Sequence, residues 1–248
     1  IVNDFLYVLK WSDARTWGVD LPPIEGDLVY VPPGMSLLVD TDTPILAGIA
    51  VEDGALIFPN NTDVTVQSNF ITINGGKFIA GTESAPLHSK LTFIMHGNYY
   101  GKQQPMFGNK GIGCLNCKFS MYGRPRKPTW TTIAATIYPG NNTFTTSVDV
   151  DWQVGESIVV ASTSFFHYEA EERVITNVTG RTITVDKPFQ NKHVSVLESY
   201  GNGKDQLEMR AEVGLLTRNI KMMGDPTSVI GKYGSHLMLS ATKPDALE

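Results

Sequence analysis

A chain of 248 residues is long enough for one large domain or two small ones. Hydrophobic residues make up 42% of it and charged residues 18%, the latter below the roughly 25% usual for soluble proteins; with 23 Gly and 14 Pro this argues against helical bundles, coiled coils and disorder. A net charge of −5 is the wrong sign for phosphate binding, so nucleic acid is not an expected partner.

In chain order, the opening segment IVNDFLYVLK carries Asp4 and lacks the basic start and cleavage site of a signal peptide. Because residue 1 is Ile, the chain is read as a mature form or an excised piece. Short apolar runs broken by Gly, Asn, Asp or Pro then recur at intervals of about eight to ten residues, leaving no room for crossover helices. They predict strands at 28–31, 36–39, 45–51, 55–58, 64–67, 70–73, 77–80 and 90–95. Gly97–Gly113 reads as a polar loop or lid, and Pro125–Pro128 as a join between two halves. The only dense basic run, Arg124-Pro-Arg-Lys127, lies at that join. A second set of strands is predicted at 113–121, 144–148, 157–161, 172–176, 182–185, 194–199, 208–213, 219–222 and 237–239. No run approaches the roughly 20 apolar residues that cross a bilayer.

The chain is therefore expected to be all-β. Hairpin sandwiches favour alternation of buried and exposed residues, whereas ILAGIAV (45–51) and ESIVVA (156–161) are apolar on consecutive residues. Strands buried on both faces between glycine corners predict a solenoid of stacked coils.

The only cysteines, Cys114 and Cys117, are spaced C-x-x-C. A zinc site lacks its second ligand pair, and the surrounding strand-and-turn pattern is not that of a redox helix. A local disulfide and two free, packed thiols both remain open. Asn60, Asn141 and Asn177 head N-x-[ST] sequons that fall in predicted turns, which favours an extracellular, glycosylated chain.

One ordered set of motifs goes beyond class. Trp11-Ser-Asp, Trp17-Gly18, Pro22-Pro23 and Glu25-Gly26-Asp27 are followed by VYVPPG, LLVDTDTPIL, VEDGALIF, ITINGGKFIAGTE and LTFIMHG. This order resembles the G8 domain, whose glycines would be matched among Gly18, Gly26, Gly34, Gly54, Gly75, Gly76, Gly81 and Gly97. Such glycines are expected at coil corners that need positive φ or close backbone approach. Further on, MYGRPRKPTWTTI, VDVDWQVGESIVVASTS and MRAEVGLLTRNIKMMGD resemble the β-helical stretch after G8 domains. That stretch occurs in fibrocystins and fibrocystin-like receptors, and in hyaluronan-depolymerising G8 proteins such as the cell migration-inducing hyaluronidase. The cysteine pair of the depolymerases is absent from Glu172–Val185, and ITVDKPFQNKHVSV is closer to the fibrocystin side. The resemblance implies a G8 domain with a lead-in strand over residues 1–128. A right-handed parallel β-helix would begin at 129 and be truncated at 248.

Several polar groups carry side chains suited to chemistry. Glu208, Arg210 and Glu212 alternate with Leu207, Met209, Ala211 and Val213. Period two places the charges on one strand face, as a row that binds sugar hydroxyls, an acid/base pair, or a salt-bridge ladder, the ladder being preferred. His167, Glu169, Glu171, Glu172 and Arg173 form the densest polar cluster. Its carboxylates invite Ca2+, but no D-x-D-x-D-G loop is present, and a solvated loop is the expected role. Asp40/Asp42 and Asp149/Asp151 read as turn caps, and GNGKDQ (201–206) as a hairpin or corner turn. Tyr99-Tyr100 and Phe165-Phe166 suit either sugar stacking or loop anchoring. The weak candidates are thus Glu172, Glu208 and Glu212 for catalysis, and His167, Glu169, Arg173 and Arg210 for ligand binding. No cofactor and no metal are expected. The reading is an extracellular or cell-surface module that binds a glycan or protein ligand without catalysis of its own. A membrane anchor in its parent stays open, and the alternative is part of a hyaluronan depolymerase.

Overall fold

Parallel strands joined by tight corners exchange backbone hydrogen bonds with the next coil rather than with their sequence neighbour. The computed structural model follows this rule in one part of the chain and departs from it in another. It describes residues 7–19 and 21–242; the extreme ends of both expected segments lie outside these. The chain is all-β and divides into two units, residues 1–124 with 218–248, and residues 125–217.

The first unit opens with β1 (Val8–Lys10), β2 (Leu28–Val31), β3 (Ser36–Leu38), β4 (Ile45–Leu46), β5 (Gly48–Glu52) and β6 (Ala55–Ile57). It continues with β7 (Val64–Ser68), β8 (Phe70–Asn74), β9 (Lys77–Ala80), β10 (Leu91–Met95), β11 (Gly111–Leu115) and β12 (Lys118–Met121). From β2 onward every third strand lands in the same sheet. The three sheets read β2-β5-β8-β11, β1-β3-β6-β9-β12 and β4-β7-β10, with all pairs parallel. Register stacks like on like. Val29, Ile49, Ile71 and Ile112 form one inward column, and Leu37, Leu56 and Phe78 another. Phe78 then stacks on Phe119 with ring centres 4.6 Å apart, a contact worth about 1 kcal/mol beyond its buried area.

Several strands are buried on one face rather than two, as in β7, where Val64, Val66 and Ser68 point in while Thr65 and Gln67 are only half-buried; β11, buried from Gly111 to Cys114, is covered on both faces. The consecutive apolar run 45–51 arises because a corner at Ala47 separates β4 from β5 and resets the phase. Leu46, Ile49 and Val51 are therefore all interior.

Seven of the eight matched glycines have positive φ. The eighth, Gly54, would bring a Cβ within 2.9 Å of the Pro32 carbonyl. The corner between the first two sheets shows why. Asp53, Gly75 and Asn116 occupy equivalent left-handed positions, with φ of 47°, 66° and 50°. Gly75 N–H donates to the Leu115 carbonyl at 2.8 Å, and Asp53 N–H to that of Asn74 at 2.9 Å. Gly76 follows at φ 63°, where a Cβ would meet the Gly54 carbonyl oxygen at 2.1 Å. Backbone cannot yield there as a side chain can, so Gly76→Ala should cost more than about 2 kcal/mol in denaturant unfolding. A loss below about 0.5 kcal/mol would show that the corner relaxes.

At the next coil Cys117 takes the place of Gly54 and Gly76 in this corner. It is disulfide-bonded to Cys114, and both are buried in the first core.

The second unit holds β13 (Trp130–Thr132), β14 (Thr143–Thr145), β15 (Ser157–Val160), β16 (Glu171–Thr179), β17 (Thr182–Val185), β18 (Ser195–Tyr200), β19 (Asp205–Arg210) and β20 (Glu212–Leu215). Here the expected parallel coils from residue 129 are corrected. A six-stranded sheet in the order β13-β20-β15-β16-β17-β14 is antiparallel throughout, and β18-β19 is a separate hairpin. The reason is local: Gly180 and the turn Gly201–Gly203 supply the positive φ that reverses the chain within two or three residues. Its own core gathers Ile158, Val160, Ile175, Ile183, Val213 and Trp152 among others.

The chain then re-enters the first unit through β21 (Ile220–Gly224), parallel to β10, and β22 (His236–Ser240), parallel to β11. The one-turn helix α1 (Thr227–Gly231) lies between them. The three-sheet winding therefore resumes where β12 left it, with the second unit inserted between consecutive strands of a coil.

Candidate functional site

The polar cluster nominated around residue 171 is mostly structural. Alternation in β16 sends Glu171 inward with Ile175 and leaves Glu172 exposed. Glu171 accepts from the backbone N–H groups of Gln190 and Asn191, from Arg173 Nη2 and from buried His193, whose Nε2 is 3.1 Å away. Burial pushes the Glu171 carboxyl up, but these donors outweigh it and the net displacement is downward. Arg173 also donates to the carbonyls of Lys187, Glu172 and Pro188 and lies over the Phe189 ring. Its guanidinium therefore ties down the segment after β17. His167 and Glu169 lie in an exposed turn beside Phe166 and Tyr168, whose rings stack 5.2 Å apart.

The row Glu208, Arg210, Glu212 does not form one strand face. Glu208 and Arg210 belong to the β18–β19 hairpin and pair with each other at 3.4 Å. Ala211 then breaks the strand, and Glu212 starts β20 in the other sheet. Leu207 and Met209, the apolar residues that alternate with these charges, are more than two-fifths exposed.

Asp40 and Asp42 tie distant segments together rather than capping their own turns: Asp40 accepts from Ser12 N and Oγ, and Asp42 from Thr65 N. Asp149 lies 3.7 Å from Arg181. Of the basic run, Arg126 is held by Glu156 and the Asp151 carbonyl. Arg124 donates to the His88 carbonyl. Among the described residues no three His, Cys, Asp or Glu side chains converge as a metal site.

All three sequon asparagines are exposed. The Asn60 amide is committed at both ends, to Pro86 and His88. Asn141 uses only its oxygen, on Tyr138 N. Asn177 sits in β16 rather than in a turn, beside a register shift, with its amide on Thr179 Oγ1 at 3.2 Å.

The built cleft lies in the first unit, where the loop after β10 meets α1. It is a cavity of about 120 Å³ walled by Tyr99, Tyr100 and Tyr233, with Thr227 and Ser228 on one side and Lys110 at its base. Tyr99 meets both other rings edge-to-face, at 5.4 Å and 5.6 Å. Tyr233 is fixed by its hydroxyl, which donates to Asn109 Oδ1 at 2.6 Å, and Asn109 in turn donates to the Asn98 carbonyl.

The base is a charge-compensated core. Lys110 is 1% exposed; its Nζ donates to the Gly97 carbonyl at 2.6 Å and to Asp225 Oδ1 at 3.1 Å. Thr227 and Ser228 hydroxyls donate to the same carboxylate, and His96 Nδ1 lies 3.5 Å from its other oxygen. Burial raises the Asp225 pKa, but Thr227, Lys110 and Ser228 bring it down to about 2. Tyr99 and Tyr100 were among the sequence candidates. Lys110, Asp225 and Tyr233 were not, since lysine and aspartate are 115 residues apart and no local pattern links them. Chemically, the cleft offers aromatic faces and hydroxyls over an ion pair with little net charge.

Among the described residues no helix is long and apolar enough to cross a membrane. Residues 16–134 match the G8 domain. The chain is 35% identical over 225 residues to mouse fibrocystin-L, covering 89% of this chain and 5% of that protein. Dog fibrocystin is 29% identical over 231 residues, with 88% and 6% covered. A G8 domain-containing protein of Dictyostelium discoideum is 28% identical over 245 residues, with 94% and 21% covered. The chain thus spans a small fraction of the relatives it matches. Together with the glycine corners and the parallel sheets they turn, these likenesses show a G8 domain over residues 16–134, in a chain related to fibrocystin-L and fibrocystin.

Proposed function

We propose that the chain is an extracellular ligand-binding module of a fibrocystin-like cell-surface protein, acting in adhesion or glycan binding without catalysis of its own. The observation that carries this reading is the tyrosine cleft. Tyr100 is 92% exposed and Tyr99 66% exposed, a large apolar area to leave in water unless a ligand covers it. Lys110 and Asp225 neutralise each other beneath, so binding would rest on ring stacking and hydroxyl contacts. The stacked parallel sheets support reading the first unit as a parallel β-helix, right-handed by the general rule for parallel crossovers. Such a scaffold holds a surface cleft rigidly.

The test is incubation of the purified chain with fluorescent high-molecular-weight hyaluronan, followed by sizing, and a glycan array probed with wild type and Tyr100→Ala. Hyaluronan of unchanged length is expected, together with at least one retained glycan whose retention drops tenfold or more in the variant. Shortened polymer would make the fragment a depolymerase and overturn the reading. Retention equal in both proteins would move the binding away from the cleft.

A further inference from the structure

The second unit carries a different surface, built on a glycine. Trp130 of β13 is directly opposite Gly214 of β20. Its ring lies so close that a Cβ on Gly214 would be 2.1 Å from Cζ3 and 2.2 Å from Cε3. The missing side chain lets the indole lie down on the sheet, covering Gly214 while Trp130 itself remains 49% exposed. One indole face is thus seated on backbone and the other is open.

Register supplies the neighbours. Trp130 and Thr132, Glu212 and Gly214, Ser157 and Val159, Glu172 and Val174 occupy the outward positions of β13, β20, β15 and the first half of β16. The inward positions are Val213, Val160 and Glu171. Glu212 is diagonal to Trp130 across the β13–β20 pair, about 7–8 Å away between Cα atoms and within reach of a long side chain. Glu172 shares the row of Gly214 on the far side of β15, about 10 Å across. These eight outward positions hold two carboxylates and no lysine or arginine. Arg173, the nearest cation in sequence, is turned inward onto Glu171.

An electron-rich indole face flanked by two exposed carboxylates is complementary to a flat cation. We infer that this face receives an arginine side chain from a basic segment of a protein partner, its guanidinium stacked on Trp130 and hydrogen-bonded to Glu212 or Glu172. Arginine fits better than lysine because it is planar and offers several donors at its edge. An acidic polysaccharide would meet like charge here.

The test uses the whole chain and an acetylated, amidated hexa-arginine peptide, followed by NMR of the Trp130 indole N–H at low salt. Hexa-lysine and maltohexaose serve as comparison probes. The expected result is a peptide-dependent shift of that resonance. Its Kd should rise tenfold or more in Glu172→Gln/Glu212→Gln, and hexa-lysine should bind more weakly than hexa-arginine. The charge variant alters only outward positions of the sheet, so its result reads the surface rather than the fold. Equal affinity of wild type and Glu172→Gln/Glu212→Gln, or equal affinity of the two peptides, would overturn the inference. So would a shift of the Trp130 indole by maltohexaose alone, which would make the face a sugar platform.

Discussion

Glu171→Ala should destabilise the second unit by about 3–5 kcal/mol, the usual cost of removing one partner from a buried ionic network. Glu171 is 7% exposed and satisfies two backbone N–H groups, Arg173 and the fully buried His193 at once. Deleting it strands donors on β16 and on the segment 190–193. Glu171→Gln is the sharper variant. Its amide keeps the volume but turns a donor toward other donors, so most of the loss should remain. Denaturant unfolding with amide exchange at Gln190 and Asn191 checks both, and a loss below about 1 kcal/mol would show the network is dispensable. Acid acts in the same direction. The Glu171 carboxyl is held below its ordinary value in the folded chain. Its contribution is therefore complete above the unfolded carboxylate range and is lost as pH falls through the lowered folded value.

Most strands were legible because their spacing and glycine corners are local facts. Leu28–Val31, Lys77–Ala80 and Thr182–Val185 fall where the breaks put them. Strand direction was not legible. ESIVVA in the antiparallel sheet and ILAGIAV in the parallel coils look alike in sequence, though the first holds one strand and the second two, because strand neighbours are set by distant pairing. The tight reversal at Gly180 sets β17 antiparallel to β16, but in sequence it reads like any other glycine break. Glu171 did leave a signal: it shares parity with Ile175, so a carboxylate falls on the core face and a buried partner is required. The base of the cleft left none. Its lysine and aspartate are 115 residues apart because the second unit is inserted between β12 and β21, although β21 pairs directly with β10.

That separation makes Lys110 and Asp225 the strongest test of how the insertion is tolerated. Asp225→Ala should cost about 3–5 kcal/mol, because it leaves the Lys110 ammonium buried with only the Gly97 carbonyl as partner. Lys110→Met should cost less, since the Asp225 carboxylate keeps the Thr227 and Ser228 hydroxyls. The double variant Lys110→Met/Asp225→Ala should recover much of the Asp225→Ala loss. A double-mutant cycle in denaturant would measure that coupling, and strict additivity would refute the pairing. The pH dependence follows from the same contacts. With the folded carboxyl lowered from 3.8 to about 2, its stabilisation is complete above the unfolded value near pH 4 and disappears as pH falls through about 2. The cleft should respond along with the fold. Lys110 fastens the first residue of the tyrosine loop, and Asp225 fastens the helix opposite. Releasing either should therefore loosen Tyr99 and Tyr100 and weaken glycan retention before the coils themselves unfold.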